Sequence, residues 1–189
     1  MRVVVAALLA AIVLFFWQFA SHMLLPVGDM GFRVPQNEDA LLSIVGSSLG
    51  PPGIYHLPHI DGSKMGDEAA VKAWVEKASA NPYAFVVVAP PIANAGDMTR
   101  QLATQFVVNF VAALIAASLL AAAAWGFGAR VFAATAIGVF GWLANLVPQW
   151  NWYLFPRDFV LGGLIDQGIG WLLAGIAMAW WLGRRRRRL

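Results

Sequence analysis

Four blocks of this chain are apolar over lengths that suit a membrane span, and no other feature constrains the fold as much. They run from Val3 to about Ala20, then over roughly 105–125, 131–147 and 159–182. A helix rises about 1.5 Å per residue, so ~20 apolar residues cross a hydrocarbon core ~30 Å thick. Of the 189 residues 60% are hydrophobic and only 12% charged, whereas soluble domains carry roughly a quarter charged residues. A chain of this size has too much surface to bury such a composition in water. The expected fold is an α-helical polytopic membrane protein: a four-helix transmembrane bundle with a small α+β extracytoplasmic domain inserted between helices 1 and 2.

The first block follows Arg2 and invites comparison with a cleaved signal peptide. Cleavage needs small residues at −3 and −1. A cut after Ala20 places Gln18 at −3, and a cut after Ser21 places Phe19 there. Residues 1–20 are therefore expected to be an uncleaved signal anchor. Residues 21–104 have the composition of a soluble domain, with five basic and eight acidic side chains. Within it, Asn37 can cap a helix that carries Glu38 and Asp39 in its first turn and ends near Gly50. Ile54 to Leu57 is a short strand, DEAAVKAWVEKASAN a second helix, and Tyr83 to Ala89 a strand bounded by prolines.

Charge in the short segments sets the expected orientation. Arg2, Arg130 and the run Arg184, Arg185, Arg186, Arg187 and Arg188 contain no acid between them and fall on one side of a four-span chain. Lys and Arg of short loops stay cytoplasmic. Both termini and the tail 183–189 are then cytoplasmic, and 21–104 and the aromatic loop PQWNWYLFPRD lie outside, in the periplasm of a bacterial inner membrane. Gly126 to Arg130 reads as the turn of a tight helical hairpin. The arginine run is expected to sit on anionic lipid headgroups, at ~1 kcal/mol per residue, and a nucleic-acid role is not expected.

Few polar side chains enter the blocks, and all sit toward the outer half: Gln18, Gln105, Asn109, Asn145, Asp166 and Gln167. They share faces with small residues. Ala134, Gly138, Gly141 and Asn145 lie on one face of the third block. Gly163, Asp166, Gly170, Ala174 and Ala177 do so on the fourth, and Asn109, Ala113 and Ala116 on the second. Small faces let membrane helices approach, and polar side chains bond across them. Two readings follow. Asp166 is structural glue accepting bonds from Asn109, Asn145 or Gln167, or it is a proton or cation site, since intramembrane acids are expensive.

No cysteine is present, which removes disulfides, thiol catalysis and Cys-bound metal. No nucleophile elbow or phosphate loop occurs, so neither an enzyme nor a cofactor is expected. His22, His56 and His59 are the candidate metal ligands, with Asp61 close by in sequence.

Trp17, Ser21-His22-Met23, Leu25-Pro26, Gly28, Pro35, Asn37-Glu38 and Pro52-Gly53-Ile54-Tyr55-His56-Leu57-Pro58 form a pattern over roughly residues 1–60. In this the chain resembles an uncharacterised group of small bacterial four-span inner-membrane proteins. The resemblance implies an envelope location and no particular activity. The functional expectation is a non-enzymatic accessory, sensor or scaffold that presents a small periplasmic domain to a membrane-protein partner or to a second copy of itself. The alternatives are a small oligomeric transporter or proton or cation pathway centred on Asp166, and a metal-binding accessory using His22, His56 and His59.

Overall fold

The computed structural model describes residues 1–184. In chain order the elements are α1 (Arg2–Phe19), α2 (Glu38–Ser48), β1 (Gly53–Leu57), α3 (Glu68–Ala80), β2 (Ala84–Val88), α4 (Thr99–Ala122), α5 (Phe127–Tyr153) and α6 (Arg157–Gly183). They form two compact units, one of Met1–Arg33 with the chain from Gly96 onward, the other Val34–Ala95.

The helical unit holds the four apolar blocks. Each lies in a helix long and apolar enough to cross a membrane, the make-up of a multi-pass membrane protein. Their packing follows the small residues. Ala6, Ala7, Ala10 and Ala11 of α1 are fully buried, as are Ala113 and Ala117 of α4, and the two helices pack along each other. The opposite flank of α1 packs along α6, which in turn packs along α5. Close approach explains the glycines at these seams. A Cβ on Gly170 would stand 2.9 Å from Trp17, one on Gly138 2.5 Å from Trp171, and one on Gly175 2.8 Å from the Ala134 Cβ. The helices are thus ordered α4–α1–α6–α5. The expected hairpin of blocks two and three does not pack as one: α4 barely touches α5, because each spends its small face on α1 or α6.

Two ends also differ from expectation. Helix α5 runs through Pro148 to Tyr153, so most of the expected aromatic loop is helical. Proline removes a single N–H from the ladder. The helix stops where Leu154 turns left-handed (φ 54°) and Phe155 N–H returns to Gln149 O at 3.3 Å, with Pro156 next. Helix α1 does not stop at Ala20 but adds a π-turn, Ala20–Leu24. Residues 21–33 therefore belong to the helical unit, and the compact inserted unit begins only at Val34.

The arginines of the expected inner side act on helix ends. The last carbonyls of a helix lack partners. Arg2 Nη2 donates to Leu182 O and Arg184 O, both at 2.7 Å, and Arg130 Nε to Leu120 O at 3.4 Å. Trp181 Nε1 returns a bond to Arg2 O at 3.1 Å.

In the second unit Asn37 caps α2 through Ala40 N–H (3.0 Å), and Asp67 caps α3 through Ala69 and Ala70 N–H. Strands β1 and β2 pair antiparallel, Gly53 opposite Val88 and Leu57 opposite Ala84. The Trp74 indole of α3 donates to the carbonyl of buried Pro58 at 3.1 Å.

Candidate functional site

The face of α1 that carries the buried alanines continues upward through Leu14 and Gln18 to Ser21, at helical spacings of four, four and three from Ala10. Ser21 is fully buried. It lies in the π-turn, a form that is rare and frequent at functional sites. The Gln18 carbonyl beneath it draws both the Ser21 hydroxyl (3.2 Å) and the His22 Nδ1 (3.0 Å). Those side chains compete with the main chain for one acceptor, a local reason for the widened turn.

Ser21 Oγ stands 2.6 Å from Asp166 Oδ1 and 2.9 Å from His22 Nδ1. One hydroxyl thus bridges a carboxyl on α6 and an imidazole on the edge of the unit. A hydroxyl has one proton to give and lone pairs to receive with. With Asp166 ionised, Ser21 donates to it and receives from the His22 Nδ1–H. With Asp166 protonated, the carboxyl donates to Ser21, and Ser21 donates to an unprotonated Nδ1. Reversing the chain moves a proton between Asp166 and His22 and gives up the His22–Gln18 bond, since an unprotonated Nδ1 has nothing to donate to that carbonyl. The arrangement is not a hydrolytic triad. There the imidazole lies between serine and carboxylate, whereas here the serine lies between the other two. Trp17 Nε1 fixes the Asp166 main chain by donating to its carbonyl at 2.9 Å.

The chain matches no family model, no curated protein and no solved structure. The site is therefore read from its own geometry.

The expected polar tier divides into two clusters that share Gln18. Its side chain faces α4, where Asn109 Nδ2 donates to Gln18 Oε1 at 2.7 Å and Gln105 Nε2 donates to Asn109 Oδ1 at 3.0 Å. Asn109 is buried there. The Gln18 backbone carbonyl faces the Ser21 cluster. Asp166 accepts from Ser21, not from Asn109, Asn145 or Gln167. Asn145 is exposed and donates to Gly141 O of its own helix at 3.1 Å, and a Cβ on Gly141 would meet nothing. The upper part of that small face on α5 is unpacked, so Asn145 is outside the cluster.

Beyond the π-turn the chain folds back onto the start of α6. Gly28 N–H donates to Ser21 O at 3.0 Å. Gly31 has φ +89° and lies so close to Phe159 that a Cβ would come within 2.3 Å of it. Phe32 packs edge-on to Phe159, with ring centroids 5.7 Å apart, and Arg33 pairs with Asp158. This strap, α6 and Leu146 of α5 line a cavity of about 310 Å3, onto which His22, Met30, Leu146, Phe159, Asp166 and Gln167 open.

The histidines are not assembled into a metal site: no group of three His, Asp or Glu side chains among the described residues could hold one. His56 and His59 meet edge to face with ring centroids 4.9 Å apart. Asp61 is occupied by Ser63, whose N–H and hydroxyl it accepts at 2.8 and 2.6 Å. His22 is held by Ser21 and Gln18. At the C-terminus, the Arg184 guanidinium lies 3.6 Å over the Trp180 ring. Arg185, Arg186, Arg187 and Arg188 lie outside the described residues.

Ser21 is the functional residue that motif reading missed. The signal was present: Ser21 extends the Ala7, Ala11, Leu14, Gln18 face of the first block, a small-residue face as regular as those of the other three.

Proposed function

We propose that this chain is a non-enzymatic sensor of a bacterial inner membrane, with both termini cytoplasmic and residues 21–104 periplasmic, that responds to protonation of Asp166. One observation carries the reading. The Ser21 hydroxyl links the Asp166 carboxyl to His22 by bonds of 2.6 and 2.9 Å, which gives an intramembrane acid a short route to an exposed imidazole. An imidazole can give or take a proton at its ring nitrogens, so the outer end of the route can pass one on. A partner membrane protein or a second copy reads the change, in keeping with an accessory role.

The test is infrared difference spectroscopy on the reconstituted protein after a pH jump. A protonated-carboxyl band is expected, absent in Asp166→Asn and slowed roughly 100-fold in Ser21→Ala, the scale of a positioned proton transfer. A band that survives Asp166→Asn, or that keeps wild-type kinetics in Ser21→Ala, overturns the reading. The cavity beside Asp166 favours a second reading, a proton or cation pathway. Its signature is a proton flux in sealed vesicles that Asp166→Asn abolishes while the fold and oligomeric state persist.

A further inference from the structure

The cavity under the strap carries polar atoms that the protein leaves unused. Asp166 spends Oδ1 on Ser21, and Oδ2 has no partner among the described residues. The Gln167 amide lines the same space and makes no hydrogen bond among the described residues. No fully buried side-chain nitrogen or oxygen among the described residues is left unpaired, and both residues line the cavity. An unpaired polar group kept from water costs a few kcal/mol. A polar or cationic occupant would satisfy them, and about 310 Å3 has room for on the order of ten waters or one small organic molecule.

The lining narrows the chemistry. Asp166 gives it an acidic end, and no lysine or arginine among the described residues opens onto it, which disfavours anions. A divalent metal needs several hard oxygen ligands, and here a single carboxylate is joined only by an amide and an imidazole. The remaining walls are apolar: Val27, Met30, Leu146 and Phe159. A ring face and a thioether beside a carboxylate suit a monovalent cation with a hydrocarbon body.

We infer that this cavity binds a small primary alkylammonium ion, its ammonium between Asp166 Oδ2 and the Gln167 amide oxygen and its alkyl chain against Met30, Leu146 and Phe159. The inference rests on Asp166 being the ionisable group of the sensor proposed above.

Calorimetric titration of n-butylammonium chloride into the full chain in nanodiscs at neutral pH tests it, with n-butanol as the neutral control and empty nanodiscs as the blank. Saturable binding of butylammonium is expected, at least tenfold tighter than butanol. Asp166→Asn should weaken it by tenfold or more and Gln167→Leu by about threefold or more; the second variant keeps the test valid should the first not fold. No saturable binding, equal binding of butanol, or unchanged binding in both variants overturns the inference. If the infrared band of Asp166 responds to pH while butylammonium does not bind, the ligand assignment alone falls. If Asp166 never titrates, the sensor reading falls with it.

Discussion

Ser21 owes its role to its size as much as to its hydroxyl. A larger side chain could not sit at zero exposure between α1 and α6, and alanine would leave the Asp166 carboxyl without its one side-chain partner. Its neighbours were legible as polar residues at the outer end of their blocks, but their pairings were not. Residue type places a side chain at a depth in the bilayer. Which helix it faces depends on the packing of every other helix, and Asn145 shows the result by bonding only its own helix. The same local logic applies in the second unit, where it gives a pH prediction. The Ser63 hydroxyl, and after it the Ser63 N–H, hold the Asp61 carboxyl below the ordinary carboxylate range. A carboxyl lowered in the folded state adds stability above its unfolded pKa and loses it as pH falls through the lowered folded value. Ser63→Ala should move the Asp61 midpoint up toward the ordinary value, as read by carboxyl carbon NMR. An unmoved midpoint would mean that the hydroxyl is not what holds it.

At the scale of elements, the span count, both helices of the second unit, the first with its Asn37 cap, and both strands follow from periodicity, capping residues and β-branched runs. The end points did not, since a lone proline is survivable inside a long helix and a polar Ser-His pair can extend a span as well as end it. Nor did the pairing of the spans, because all four carry small faces and only close approach distinguishes a used glycine from an idle one. Two glycines one turn apart on α5 make that difference measurable. A Cβ at Gly138 would overlap Trp171 at 2.5 Å, whereas at Gly141 it would meet nothing. Gly138→Ala should destabilise the detergent-solubilised protein by about 1–3 kcal/mol through overpacking. Gly141→Ala should stabilise it by about 0.5–1 kcal/mol through helix propensity. Denaturant titration of both variants checks the pair, and equal effects would remove the proposed α5–α6 seam.

For the whole molecule, the expected orientation is open to a clean experiment because the chain contains no cysteine. Any introduced thiol is then unique. In intact cells a membrane-impermeant maleimide should label Ser47→Cys, in the segment expected outside, and should reach Gly128→Cys, beside Arg130, only after lysis. The reverse pattern would invert the topology. The order α4–α1–α6–α5 also has a consequence in time. Ser21 and Asp166 are 145 positions apart. At a synthesis rate of ~5–20 residues per second, the hydroxyl is made on the order of ten seconds before its carboxyl exists. Throughout that interval α1 has α4 as its available neighbour but not α6, so the contact that completes the relay is among the last that the ribosome makes possible.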